Sequence, residues 1–316
     1  MDAPHPPDPL PKEPVVVILG PTAVGKSAVA VEVAIRAGGE VISADSRAFF
    51  RGLDIATDKP SFSAQRGVPH YLIGVIDIDE HYDAMTFRHD ADRLIQAIQR
   101  RHRIPILVGG GTLYLGAILR GLFVGPSADR ALRKELSRQP TGELYLELGE
   151  VDPLAAEKIH PNDRLRIIRA MEVYKLAGRP ISELQREAHP LPYRFVVFGL
   201  RRNKDEHRAA IIKRCEAMLD GGLLGEMKQL RERGLNADAQ AYRTIGVREG
   251  LAFLDGKISQ AKLQTLLVRN TWRLVRRQMA WFRKEKAVTW IDVTGRAPGE
   301  VAAEIVWRLN VTATSY

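Results

Sequence analysis

Cysteine is almost absent from this chain of 316 residues: Cys215 stands alone, which excludes an intrachain disulfide and a zinc site built from paired thiolates. No apolar run approaches the roughly 20 residues that a bilayer-spanning helix needs. The opening residues are proline-rich and acidic rather than basic and then apolar, so they do not read as a secretory signal. A disordered leader is expected over residues 1–14. No internal repeat is present, and no low-complexity tract lies beyond that leader. These absences suit a soluble, cytoplasmic chain in a reducing setting, with length for about two domains that each bury a core.

Acidic residues are scarce in one place only. The net charge of +9 is unevenly spread: residues 1–200 carry 25 Lys+Arg against 25 Asp+Glu, residues 201–286 carry 20 against 10, and the remainder carries 2 against 3. An even spread would serve solubility, whereas concentration in one segment suits a polyanionic partner such as nucleic acid. A solvated helical face is the competing reading.

What is present begins with Gly20-Pro-Thr-Ala-Val-Gly-Lys-Ser27. It follows the apolar run Val15–Leu19 and opens a helix-like segment over Ala28–Arg36, so it reads as strand, glycine turn, helix. The spacing is that of a phosphate loop of the nucleotide-binding type, G-x-x-x-x-G-K-S. The backbone of Gly20, Pro21, Thr22, Ala23, Val24 and Gly25 wraps the anion, donating from every N–H except at Pro21, which has none, while Lys26 reaches the outer phosphate and the Ser27 hydroxyl holds Mg²⁺. The helix N-terminus adds its dipole at the same point.

A second strand, Glu40–Ala44, is followed by Asp45-Ser-Arg47. Ligands of open α/β sheets gather at the carboxyl ends of strands, which predicts Asp45 near the phosphate loop and suits it to act as a general base. An Asp that merely caps the next turn is the plainer alternative. Ile104–Val108 reads as a central parallel strand and ends in Gly109-Gly-Gly-Thr112 with no acidic residue. Nucleotide hydrolysis commonly uses an Asp there to hold Mg²⁺, so its absence argues against an ATPase or GTPase. The glycines are expected to let a substrate approach the backbone closely.

From Leu115 to His189 short helical segments alternate with Pro, Gly and Asn: Ala131–Arg138, Gly142–Gly149, Pro153–Ile159, Asp163–Ala177 and Ser182–Ala188. Arg166 and Arg169, with Arg164 close by, form a basic edge or are used in local ion pairs. Strand pattern returns at Arg194–Leu200, helices are expected over Asp205–Asp220, Leu224–Arg233, Arg243–Leu254 and Ser259–Lys284, and Val288–Asp292 is expected to close the fold. Tyr242, Trp272, Trp281 and Phe282 interleave with the arginines; such aromatics clamp RNA bases in some proteins, but at helical spacing they are more commonly core.

Taken together these motifs resemble the tRNA dimethylallyltransferases, the isopentenyl-diphosphate:tRNA transferases, from Val15 to Asp292. The resemblance rests on Gly20–Ser27, Ile42–Ser46, Arg51–Ile55, Lys59-Pro60, Val68–His70, Pro105–Gly110, Leu113-Tyr114, His160–Asp163, Arg166, Arg169-Ala170, Gly178–Ser182, Tyr242–Gly246, Arg276–Gln278 and Trp281-Phe282. It implies an α/β fold: a P-loop kinase-like parallel sheet core over 15–114 and 190–316, with a helical insertion over 115–189. It implies transfer of a dimethylallyl group from dimethylallyl diphosphate to N6 of the adenosine immediately 3′ of the anticodon, with Mg²⁺, by a monomer. Lys26, Mg²⁺ on Ser27 and Arg243 would neutralise the leaving diphosphate, Asp45 would take the proton of the amine, and Thr22 would bond the diphosphate or the reacting centre. Contacts to tRNA are implied for Asp45, Ser46, Arg47, Ala48, Thr112, Arg133, Leu165, Arg166, Ile167, Ile168 and Arg169.

The chain departs from the family pattern at Gly111, where Thr is usual, at Ala48, where Gln is common, at Asp58, which replaces a small residue, and at Ala280, which replaces Thr. A free-nucleotide isopentenyltransferase is disfavoured by the basic segment, and a small-molecule P-loop kinase by the missing strand-end Asp.

Overall fold

The computed structural model describes residues 14–314, with side chains up to residue 311; of the leader expected over 1–14, all but Pro14 lies outside the described residues. Two compact units are present. One runs up to Leu115 and resumes at Pro192; the other is Gly116–Leu191.

The first unit is built on a parallel sheet. Its strands are β1 (Val15–Leu19), β2 (Gly39–Ser43), β3 (His70–Tyr71), β4 (Ile104–Gly109), β5 (Phe195–Arg201) and β6 (Val288–Asp292), in the order β3-β2-β4-β1-β5-β6. Every residue of β1 is fully buried, as expected of a strand covered on both faces. Its register sets Ile18 beside Val108 and Phe198. The carboxyl ends of β1, β2 and β4 therefore open on one edge of the sheet.

Helices α1 (Lys26–Ala37), α2 (Phe62–Gln65) and α3 (Ala84–Arg100) link the early strands, and α4 (Thr112–Leu119) follows β4. α1 stops at Gly38, whose φ of 65° is a left-handed cap that costs glycine nothing. α3 was absent from the sequence expectation although its signals are there: Asp83 accepts from the backbone N–H of Met85 and Thr86, and Ala84, Phe87, Ala91, Ile95 and Ile98 form its buried stripe. Nor does β6 close the fold. Helix α14 (Pro298–Thr314) follows it and packs on α1, where Val301, Ala302, Ile305 and Leu309 join the core of Val29, Val33 and Ala34.

The second unit holds α5 (Arg130–Leu136), α6 (Thr141–Val151), α7 (Pro153–Lys158), α8 (Arg164–Ala177) and α9 (Ile181–Arg186) around Leu144, Leu148, Ile167 and Met171. Inside it the Glu172 carboxylate is wholly buried. Burial pushes its pKa up, but hydrogen bonds from Arg133, Arg169 and the Asp129 N–H outweigh that and the net displacement is downward.

The basic segment of the first unit forms α10 (Lys204–Asp220), α11 (Leu223–Glu232), α12 (Val247–Leu254) and α13 (Gln260–Phe282). The helix expected over Arg243–Leu254 is divided: Ala241–Arg243 is a 3₁₀ turn, and α12 begins only after Gly246, at φ 102°, whose N–H is bonded to Glu249 Oε2 at 3.0 Å. α13 buries Leu263, Leu267, Thr271, Val275, Gln278 and Phe282, which leaves Arg269, Arg273, Arg276 and Arg277 on the exposed side. Phe282 is core, whereas Tyr242, Trp272 and Trp281 are half-buried.

One buried carboxylate ties these helices to the loop after β2. Glu226 of α11 accepts the N–H groups of Asp54, Ile55 and Ala56 at 2.7, 2.6 and 3.0 Å. Removing it strands three donors at once, so Glu226→Ala is expected to lower stability by about 3 kcal/mol. Urea unfolding checks this through a lower midpoint at an unchanged slope.

Candidate active site

The phosphate loop follows β1 because the backbone there has no room for ordinary side chains. A Cβ on Gly20 would stand 2.8 Å from the Leu200 carbonyl, and Gly25 takes φ 99° to turn the chain into α1. Ala23 adopts φ 62°, a left-handed conformation unusual for alanine that aims successive N–H groups into one hollow. Pro21 and Val24 are buried and hold the loop to the core, while Ser27 is exposed at the first turn of α1.

Lys26 folds back over this hollow and donates to the Pro21 carbonyl at 2.7 Å. Burial lowers its pKa to about 8; Asp45 and Asp58 oppose that displacement and Arg214 adds to it. Thr22 is held at each of its polar groups. Its N–H donates to Gln278 Oε1 at 2.9 Å, its carbonyl bonds His207 Nε2 at 2.8 Å and its hydroxyl accepts from Arg214 Nη1 at 2.5 Å. His207 is buried edge-on against Trp272, and burial lowers its pKa, so the neutral ring presents Nε2–H to that carbonyl.

Asp45 stands at the carboxyl end of β2, where its Oδ1 also accepts the Arg47 N–H at 2.9 Å. The carboxylate thus caps its own turn while its other oxygen is left to the cavity. Arg47 reaches the Gln240 carbonyl at 2.8 Å, and Ala48 is buried. Gly109, Gly110 and Gly111 lie close against the protein's own chain and also border the open space at this edge. A Cβ on Gly109 or Gly111 would meet the Ala44 carbonyl at 2.3 or 2.5 Å.

Two cavities open at this edge. The first, about 600 Å³, is lined by Thr22, Lys26, Ser27, Asp45, Asp58 and Arg214 among others. The second, about 470 Å³, is lined by Asp45, Ser46, Arg47, Thr112, Arg243 and Arg277 among others. Thr22, Lys26, Asp45, Thr57 and Arg214 belong to both. A cation pair and a carboxylate therefore stand where the two spaces meet.

Sequence reasoning missed Arg214, His207 and the use of Gln278. Arg214 had a signal: it lies among His207, Ile211, Cys215 and Met218 on the inward stripe of α10, where an unpaired cation is out of place unless it has an anion to meet. Asp58, at φ 57°, places an oxygen 3.5 Å from Arg214 Nε. Arg243, expected on the diphosphate, lines the second cavity alone. The remaining expected contacts lie in the second unit. There Leu165 is 78% exposed and Arg166 is exposed beside Asp163, Ile167 and Ile168 are buried, and Arg133 and Arg169 are held by Glu172. Among the described residues no group of three or more His, Cys, Asp or Glu side chains could hold a metal by itself, and no helix is long and apolar enough to cross a membrane.

A protein-family model described as IPP transferase matches residues 48–285. The tRNA dimethylallyltransferase of Thermotoga petrophila is 43% identical over 92% of this chain and 96% of its own length, and that of Pelotomaculum thermopropionicum is 38% identical over 94% and 96%. Among solved structures, the tRNA isopentenylpyrophosphate transferase of Bacillus halodurans superposes with a TM-score of 0.71 at 37% identity, covering 96% of this chain and 99% of its own. A eukaryotic dimethylallyltransferase acting on tRNA gives 0.78 at 28% identity, with 89% and 74% covered. With the family matched across most of its length and the relatives matched nearly end to end, this chain belongs to the IPP transferase family.

Proposed function

We propose that this protein transfers a dimethylallyl group from dimethylallyl diphosphate to N6 of the adenosine immediately 3′ of the anticodon in tRNA. The observation that carries the reading is the shared wall of the two cavities, where Lys26 and Arg214 face Asp45. The diphosphate occupies the first cavity against the loop Gly20–Ser27, and the target base enters the second. As N6 bonds to C1 of the allyl group, the C1–O bond breaks, the amine proton passes to the Asp45 carboxylate, and the charge that grows on the diphosphate falls to Lys26 and Arg214. An amine conjugated into adenine is a weak nucleophile, so stabilising that leaving group supplies much of the rate.

The hard oxygen of Ser27 fits Mg²⁺, which keeps most of its shell as water and phosphate oxygen and so needs no all-protein cage. When bound it supplies further charge to the departing diphosphate. Arg243 and Arg277, in the second cavity, serve the nucleotide side. A monomer acting in the cytoplasm is part of the same proposal.

Labelled dimethylallyl diphosphate incubated with undermodified tRNA and Mg²⁺, without any nucleoside triphosphate, is expected to yield prenylated adenosine. Asp45→Ala should slow this by about 10²–10⁴-fold while diphosphate binding persists. Transfer that stops when ATP is withheld would return the loop to a kinase.

The Lys26 pKa of about 8 fixes the sign of a pH effect. Above that value the empty site holds a neutral amine, and a bound anion restores the charge, so binding takes up a proton and affinity falls as pH rises through 8. Calorimetry in buffers of different ionisation heat should register that uptake in the parent and not in Lys26→Met.

Arg269, Arg273, Arg276 and Arg277 form no ion pair among the described residues, which leaves their charge free for tRNA phosphates. Replacing each phosphate contact by Ala should flatten the slope of log affinity against log salt by about 0.7–0.9. An unchanged slope would leave the stripe to solvation.

A further inference from the structure

Gln278 carries no charge and no reactive atom, yet it bonds both the phosphate loop and the turn after β4. It sits on the buried face of α13 and is 7% exposed. Its Oε1 accepts the Thr22 N–H at 2.9 Å and its Nε2 donates to the Gly110 carbonyl at 2.9 Å. One amide thereby joins the phosphate loop to the turn after β4. That turn is joined in its own right to the strand end that bears Asp45: Gly111 N–H donates to the Ala44 carbonyl at 3.1 Å, and Ala44 N–H to the Val108 carbonyl at 2.7 Å.

The spacing along this path is closed. A Cβ on Gly110 would stand 2.3 Å from Gln278 Nε2, and no Cβ fits at Gly109 or Gly111 beside Ala44. Both polar atoms of Gln278 are committed to backbone, so it acts through Thr22 and Gly110. A primary amide is what the position requires, because it offers an acceptor and a donor side by side, whereas a carboxylate only accepts and a hydrocarbon does neither.

We infer that Gln278 is a positioning residue for group transfer: it sets the distance between the phosphate loop and the end of β2, and so aligns the leaving diphosphate with the amine that Asp45 serves. The inference rests on the prenyl-transfer reading given above. Misplacement of about 1 Å between reacting groups costs on the order of 10²-fold in rate.

Two substitutions test it, Gln278→Met, which keeps the length and loses both bonds, and Gln278→Glu. Single-turnover transfer is measured with enzyme in excess over labelled tRNA, and diphosphate affinity is measured separately with a thiolodiphosphate analogue of dimethylallyl diphosphate. Gln278→Met is expected to slow single-turnover transfer by about 10²-fold while affinity for the analogue stays close to the parent's. Gln278→Glu is expected to be slow at about pH 8.5 and to recover relative to the parent towards about pH 6, because a protonated carboxyl again accepts from Thr22 and donates to Gly110. A part that only fills space has no such recovery. Parental single-turnover transfer by Gln278→Met, or a Gln278→Glu to parent ratio that does not change with pH, overturns the inference. Should Gln278→Met fail to fold, the pH ratio of Gln278→Glu decides. A parent that forms no prenylated adenosine overturns the transferase reading itself, and the inference with it.

Discussion

Keeping an ammonium charged inside the protein is the constraint around which the first cavity is built. Burial pulls the Lys26 pKa down to about 8, and Arg214 pulls the same way from the facing helix. Left alone, two cations in a desolvated hollow would repel each other and lose their hydration. The Pro21 carbonyl, Asp45 and Asp58 offset part of that cost. Burial still outweighs that offset at Lys26, so an anion brought beside the ammonium would favour its charged form. The two cations and the phosphate-loop backbone thus make the first cavity a place suited to an anion.

That constraint explains which parts of the site were legible in the sequence. The loop Gly20–Ser27 and the strand runs are local patterns, fixed by spacing within a dozen residues, and Asp45 follows from the rule that ligands meet the carboxyl ends of parallel strands. The partners that hold Thr22 are not local. Gln278 lies 256 positions away along the chain, His207 lies 185 away and Arg214 lies 192 away. Nothing in their neighbourhoods states that three side chains from two helices converge on one threonine. Helices α3 and α14 carry no motif, and their apolar stripes speak only of packing.

The glycines at the end of β4 meet two neighbours at once, the protein's own chain and the cavities. Gly109-Gly-Gly111 does mark a close approach, as bare backbone should. The Ala44 carbonyl and the Gln278 amide crowd them on one side, while Gly109 lines the first cavity and Gly110 and Gly111 line the second. The departure at Gly111 from the threonine usual in relatives reads differently in this light, because a side chain there would meet the Ala44 carbonyl at 2.5 Å unless the turn shifted. Thr112, one residue later, lines the second cavity and offers a hydroxyl without that clash.

Counting charge from sequence locates a surplus but says nothing of whether it is already satisfied. In the second unit Arg133 and Arg169 are bonded to the buried Glu172, and Arg164 is turned onto the Ser137 and Gln139 carbonyls at 2.6 and 2.7 Å. Those cations hold the helices together, and releasing any of them for a phosphate would leave a buried carboxylate or carbonyl unmet. On α13 the opposite holds: the buried stripe carries no charge, so Arg269, Arg273, Arg276 and Arg277 have no inward duty and stand exposed. Charge useful for recognising a polyanion is the charge the fold does not need. In the basic segment part of that surplus lies along α13, whose Arg277 lines the second cavity and whose Gln278, one residue on, turns inward to the phosphate loop.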